Sequence, residues 1–383
     1  MVVPVILTLT GLFFVMQLLY YLLLYSRIWL RAGAVRKKRI PFTQELPPLS
    51  VIICAHDQEE DLRRHLTAVL EQDYPQFEVI VIHDGNADDS DDYLTRLEEQ
   101  YSHLYHSFVP ESSRYISRKK LAVTLGVKAG KYDWLVFTSP NCQPAGNQWL
   151  RTLARNFTPQ TSIVLGYSGY LRGKGMLQKR VAYDNLFTSM RYLGCALCAS
   201  PYMGIGRNMA YRKSLFFEQK GLSSHLNLKR GEDDLFVNTA ATGKNTRVET
   251  AAAATMQIPA VTHANDWEEE KIGYVQTARY YRGLQRYLLG FETFTRLLFH
   301  LCWMSTLVLA LAEAAWIMAG TAFLFFLLRW GLQMMVVNKT AKALGEPRRY
   351  YLTLFLMDWL QPLQSLRWKL TCLFRSKYEF MRK

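Results

Sequence analysis

Cysteine is scarce and scattered, six in 383 residues, which excludes a small secreted module stapled by disulfides. Formal charge is missing altogether from Val2 to Tyr25, where only Thr8, Thr10 and Gln17 interrupt an apolar run. Acids are missing from residues 27–39, which hold Arg27, Arg31, Arg36, Lys37, Lys38 and Arg39 for a net +6. Repeats and low-complexity tracts are also missing. What is abundant is apolar surface. Half of the chain is hydrophobic and 13% aromatic, so a disordered polar chain is excluded. The formal charge of +14 sits in the flanks, because residues 339–383 add a further +7 and leave the middle near neutral. A nucleic-acid-binding domain carries its charge on the folded body, so nucleic acid is not expected as a partner.

The flanks read as membrane segments. The uncharged N-terminal run exceeds the roughly 20 residues that cross a bilayer. A cleavable leader would have a charged start, a shorter apolar stretch and a small-residue cleavage site, so residues 1–26 are expected to form a permanent anchor. Residues 27–44 then form a basic juxtamembrane linker, which places the domain after it in the cytoplasm. A second apolar tract, Leu297–Trp330, is broken only by His300, Glu313 and, next to its end, Arg329. It is too long for one span and fits a two-helix hairpin over 296–338, turning near Glu313, with Arg296 and Arg329 both on the cytoplasmic side. The competing reading is a buried helical hairpin of a soluble protein. Ionisable groups in a span point to function by default, although Glu313 at the hairpin tip has water at hand. Residues 339–383 read as a basic cytoplasmic tail. Within it Tyr350–Leu366, with Asp358, Gln361, Pro362 and Gln364, forms an interfacial helix whose basic flanks meet anionic phospholipids. The expected location is the inner (cytoplasmic) membrane, multi-pass.

The middle, residues 45–290, alternates strand and helix. Leu49–Ala55 and Phe77–Ile82 are continuous, β-branched-rich apolar runs, the mark of strands buried on both faces. Trp134–Thr138 and Ser162–Gly166 are two more. Helices are predicted over Gln58–Glu71, with Leu62, His65, Leu66, Val69 and Leu70 on one face, and over Asp88–Gln100. Such units imply a mostly parallel, Rossmann-like α/β sheet with ligands at the carboxyl ends of its strands. Those ends carry Ala55-His56-Asp57, Asp84-Gly85 and Ser139-Pro140-Asn141.

The order of motifs resembles the membrane-anchored, family 2 glycosyltransferases of GT-A fold. The resemblance is carried by PPLSVIICAHDQEEDL, QDYPQFEVIVIHDGNADDS, KKLAVTLGVKAGKYDWLVFT, NCQP, PYMGIGRNMAYRK and RGEDDLFVN, and it extends over nearly the whole chain. It implies a nucleotide-sugar donor, UDP-sugar favoured, and a lipid or saccharide acceptor, with sibling transferases as further partners. Asp84 would orient the nucleoside, although His83 replaces the acid that usually precedes it. Ala55, Lys119, Lys120 and Asn141 join Asp84 on the donor side. Asp233 in Gly231-Glu232-Asp233-Asp234 takes the place of the catalytic base, with Asp234 as the alternative if the alignment slips by one. Gly204, Gly206, Arg207, Asn208, Glu232, Trp267 and Arg279 are assigned to the acceptor side.

Two motifs of the family are altered. The metal-binding D-x-D position reads Ser139-Pro140-Asn141, and Mg²⁺ or Mn²⁺ usually needs a carboxylate. Asn141 offers one neutral oxygen and no charge, so the metal site is expected to be absent or weak, with Mg²⁺ or Mn²⁺ at most loosely held. Arg118, Lys119 and Lys120 could supply the positive charge instead, or they could be a solvated patch ahead of a helix. The Q-x-x-R-W position reads Glu270-Lys271-Ile272-Gly273-Tyr274, or Gln276-Thr277-Ala278-Arg279-Tyr280 in another register. These losses leave two readings, an active enzyme that works without a bound metal and a catalytically inactive member that serves as a binding or scaffold partner. Cys195 and Cys198 form one C-x-x-C without the second pair that zinc needs and read as reduced packing thiols. His83 reads as a local stacking or capping residue.

Overall fold

The computed structural model describes residues 2–83, 90–110 and 117–374. These residues form ten strands: β1 (Leu49–Cys54), β2 (Phe77–His83), β3 (Leu104–Phe108), β4 (Trp134–Thr138), β5 (Gln143–Pro144), β6 (Ile163–Leu165), β7 (Ser168–Tyr170), β8 (Met209–Arg212), β9 (Thr246–Val248) and β10 (Met256–Ile258). Seven form one sheet in the order β3-β2-β1-β4-β8-β6-β9, and β5-β10-β7 form a small second one. The continuous apolar runs seen in the sequence are its centre. Along β1, Leu49, Val51 and Ile53 pack on one side with Leu62, Leu66 and Val69 of the Glu59–Leu70 helix. Ile52 packs on the other side with Val123 and Val127 of the Arg118–Ala129 helix. Burying each such side chain contributes about 1.5–3 kcal/mol, which is why these strands need no alternation of polar and apolar residues.

All of the large sheet is parallel except β8, which runs antiparallel to β4 and β6. This reversal builds the site. The pairing of Phe137 with Met209 sets the start of β8 beside the carboxyl end of β4. Residues 204–208 therefore arrive next to Ser139-Pro140-Asn141 and to the end of β1. The small sheet forms an adjoining wall.

Among the described residues, three helices are long and apolar enough to cross a membrane: Val2–Arg36, Gln285–Ala312 and Trp316–Ala343. The first does not end at the basic cluster; it continues to Arg36 through a π-helical turn at Tyr20–Tyr25. That turn sends Tyr21 and Tyr25 inward, and Tyr25 packs on Phe187. The other two are joined at Glu313–Ala315, with Glu313 exposed.

Arg296 and Arg329, which flank the hairpin in sequence, do not lie on the protein surface. Both are fully buried and converge on Asp358 of the C-terminal helix, Leu352–Phe374. His300 and Gln333 also contact Asp358, at 2.7 and 2.8 Å. Gln17 reaches the same cluster by accepting from Arg329 at 3.2 Å. The C-terminal helix is inverted in polarity. Asp358, Gln361 and Gln364 face the protein while Leu352, Phe355, Leu363, Leu366, Leu370 and Leu373 face outward. All six cysteines are free thiols, and Cys198 is exposed.

Candidate functional site

The carboxyl ends of β1 and β4, the segment before β8 and the helix Ala264–Thr277 enclose a cleft of about 570 Å³. Its wall includes Cys54, Asp61, Thr138, Ser139, Asn141, Gly206, Arg207, Arg230, Glu232, Asp233, Glu270 and Tyr274. The acids reach it because the chain turns sharply at Gly231, whose φ of +111° lies in the region that favours glycine.

Asp233 is the N-cap of the Asp234–Ala240 helix. Its Oδ1 accepts from the Asp234 N–H at 2.7 Å. Its Oδ2 accepts from the Gly206 N–H at 2.8 Å and from the Tyr274 hydroxyl at 2.9 Å. Burial and the neighbouring Glu232 carboxylate raise its pKa, against the pull of Lys119 and these donors. A carboxyl held ionisable above its usual range, in a cleft, is suited to accept a proton near neutral pH.

Asp234 points the other way. It is fully buried, absent from the cleft wall, and accepts from Thr277 and from Tyr281 at 2.6 Å. Burial and Asp233 push its pKa up to about 7. Adjacent acids thus serve different ends, one toward the cleft and one toward the core.

The neighbouring lysines divide in the same way. Lys119 reaches the cleft and pairs with Glu232 at 2.6 Å. Burial disfavours both charges, but their mutual attraction outweighs it, raising the Lys119 pKa and lowering that of Glu232. Lys120 is buried and donates to the carbonyls of His225 and, at 2.8 Å, Leu228. Burial lowers its pKa to about 8. It fastens the 225–228 segment and does not line the cleft.

Arg207 and Glu270 form a two-pronged pair across the cleft, at 2.8 and 2.6 Å. Burial opposes the Glu270 charge, yet Arg207 holds the carboxyl down at about 2. Of the two registers for the altered motif, Glu270 and Tyr274 line the cleft. Arg279 instead donates to the Cys372 carbonyl at 3.1 Å, in a separate small cavity.

Asn208 is buried, donating to the Tyr167 and Ala254 carbonyls and accepting from the Trp149 indole. Gly204 is a packing glycine, since a Cβ there would meet Val237 at 2.9 Å. Ala55 is buried behind the cleft wall, whereas Asn141 and Trp267 line the cleft, Trp267 edge-on to Trp368 at 5.3 Å. Asp84 lies outside the described residues. The donors at the D-x-D position, Ser139 and Asn141, are neutral, so this motif does not fit a resident divalent cation.

Arg230, Glu270 and Tyr274 were not assigned from sequence. Arg230 lies where a Cβ on Gly273 would be only 2.2 Å from its Cδ, so a glycine on the facing helix makes its room. The one sequence signal for this was the Gly at the fourth place of the altered motif.

Residues 50–218 match the family described as Glycosyl transferase family 2. The chain carries a family 2 glycosyltransferase domain. A 104-residue stretch is 31% identical to the probable glycosyltransferase YdaM of Bacillus subtilis, covering 24% of this chain and 25% of that one. The chain thus matches about a quarter of that curated relative's length. The mannosyltransferase PcManGT from Pyrobaculum calidifontis, solved with GDP-Man and Mn²⁺, superimposes with a TM-score of 0.56 at 17% identity, over 91% of this chain and all of that one. That likeness establishes the GT-A type of α/β fold for the domain, the fold that the motif resemblance implied.

Proposed function

We propose that the protein is a membrane-bound, inverting glycosyltransferase that moves a sugar from a nucleotide-sugar donor, UDP-sugar favoured, to a lipid or saccharide acceptor at the cytoplasmic face. The observation that carries this reading is Asp233, a buried carboxyl fixed by three donors at the wall of the cleft. Asp233 takes the proton of the acceptor hydroxyl as its oxygen attacks the anomeric carbon from the face opposite the nucleotide. The bond from the anomeric carbon to phosphate oxygen breaks, and the nucleoside diphosphate leaves with the electron pair.

The leaving diphosphate needs positive charge. Among the described residues, four cations line the cleft: Arg64, Lys119, Arg207 and Arg230. Arg64 pairs with Glu60, Lys119 with Glu232 and Arg207 with Glu270. Arg230 has no ion-pair partner among the described residues, so it takes a phosphate without breaking an existing pair. Three apolar helices favour an acceptor that is itself held at the membrane.

The test is donor binding and turnover by detergent-purified protein, with UDP-, GDP- and dTDP-sugars in Mg²⁺, Mn²⁺ or EDTA. Turnover that persists in EDTA and falls about 10²–10⁴-fold in Asp233→Asn is expected. Undiminished turnover by that variant would refute Asp233 as the base. Silence across the panel from folded protein would favour the non-catalytic reading, in which the cleft only binds.

A further inference from the structure

On the far strands of the sheet, away from the cleft wall, two histidines and an aspartate converge. His83 ends β2, His106 lies in β3, and Asp91 is in the first turn of the Ser90–Gln100 helix. The parallel register sets His106 beside Val81, two residues before His83. Side chains two apart share a face, so both imidazoles stand on one side of the sheet, their ring centroids 5.8 Å apart. The helix brings Asp91 down onto them. Its Oδ1 lies 3.2 Å from His83 Nε2 and 3.3 Å from His106 Nε2, and the three ligand atoms all fall within 4.8 Å of one another.

The two spacings from Asp91 suit a metal. A tetrahedral ion with bonds of about 2.0–2.1 Å separates its ligand atoms by about 3.3 Å. A second observation points the same way. Glu98, two turns along the same helix, lies 2.8 Å from His106 Nδ1 and accepts from the His106 backbone N–H at 2.6 Å. The Glu98 carboxylate is in charge contact with that far nitrogen and not in line for a hydrogen bond; a carboxylate beside the second nitrogen of a metal-bound histidine raises its basicity. His83 is buried, His106 nearly so, and Asp91 is largely exposed. Among these three ligands, Asp91 is the one open to bulk water.

We propose that His83, Asp91 and His106 form a binding site for a zinc-class divalent ion, with Glu98 as its positioning residue. Two imidazole nitrogens and one carboxylate oxygen suit Zn²⁺ better than Mg²⁺ or Mn²⁺, which prefer oxygen ligands. This ion is separate from any ion that accompanies a diphosphate at Asn141. His83 and Asp91 flank residues 84–90, so the ion joins the two ends of that stretch and ties both to β3. Its role is a structural clip: the three ligands meet only in the folded chain, so the free energy of binding the ion adds to the stability of the fold.

The experiment uses tag-free, full-length protein in detergent, stripped with chelator and titrated with ZnCl₂ against a competing chelating dye. Metal content and thermal midpoint are read in parallel. One zinc per chain and a higher midpoint in zinc are expected. Asp91→Asn, at an exposed position that does not threaten folding, should lose the tight site. Glu98→Gln should keep the ligands but weaken affinity about 10–100-fold. Cys195→Ser/Cys198→Ser should bind as the parent does, and Co²⁺ substitution should give a tetrahedral spectrum without thiolate charge transfer. Equal zinc binding by the parent and Asp91→Asn, or loss of zinc only in the cysteine variant, would overturn the assignment. So would the absence of stoichiometric zinc in the parent, which would leave Asp91 as an ion-pair partner of the histidines.

Discussion

Removing one hydroxyl, in Tyr274→Phe, tests whether the Asp233 environment sets a catalytic pKa. The phenol donates to Asp233 Oδ2 at 2.9 Å, and a donor to a carboxylate stabilises its ionised form. A hydrogen bond to a charged group contributes about 1.5–3 kcal/mol, and each pKa unit corresponds to about 1.4 kcal/mol. Without the hydroxyl, burial and Glu232 act with less opposition, so the Asp233 pKa rises further, by about 1–2 units. The base is active only when ionised, so the acid limb of the kcat/KM–pH profile should move up by that amount. The alkaline plateau should change little. The substitution is nearly isosteric and half-buried, so the thermal midpoint should stay within a few degrees. An acid limb that does not move, with KM alone raised, would refute the reasoning and make Tyr274 a substrate contact.

Further outcomes rest on the same geometry. Arg230→Ala should lower kcat/KM about 10²–10³-fold, the usual cost of losing one charge-stabilising donor. Gly273→Ala should reproduce that loss with little change in thermal midpoint, because its Cβ displaces the flexible Arg230 side chain; full activity in Gly273→Ala would remove Arg230 from the mechanism. Asp234 has its pKa raised by burial to about 7, so its neutral form is favoured by folding. Its contribution is complete below the unfolded value of about 4 and is lost as pH rises through about 7, an upper bound of about 4 kcal/mol. Asp234→Asn should therefore be no less stable than the parent at pH 8 and should flatten the decline between pH 4 and 7, measured by thermal unfolding in detergent. A stability difference independent of pH would refute that reading.

Much of the architecture was legible in the residues themselves. LSVIIC and FEVIVIH are strands because each is apolar enough to be covered on both faces, and β1 is indeed buried from Leu49 to Ile53. The long uncharged runs declared the apolar helices, since no soluble surface would leave them without charge. The acids after Gly231 were visible as a helix start, and Asn141, Gly206, Arg207 and Glu232 do line one cleft.

What the sequence could not determine was direction. Asp233 and Asp234, or Lys119 and Lys120, are neighbours of like charge, and only the rotation of a helix against its surroundings sends one to the cleft and the other to the core. Nor could it assign partners held far apart along the chain. Arg230 acquires its place from Gly273, Asp233 its third donor from Tyr274, and Asp358 gathers Arg296, Arg329 and His300 from other helices. The arginines that flank the hairpin in sequence are buried there, because a carboxylate on the C-terminal helix compensates their desolvation. The composition and periodicity of this chain thus determined which segments are buried and in what secondary structure. The packing of one element on another decided which polar groups meet, because that depends on long-range register rather than on local pattern.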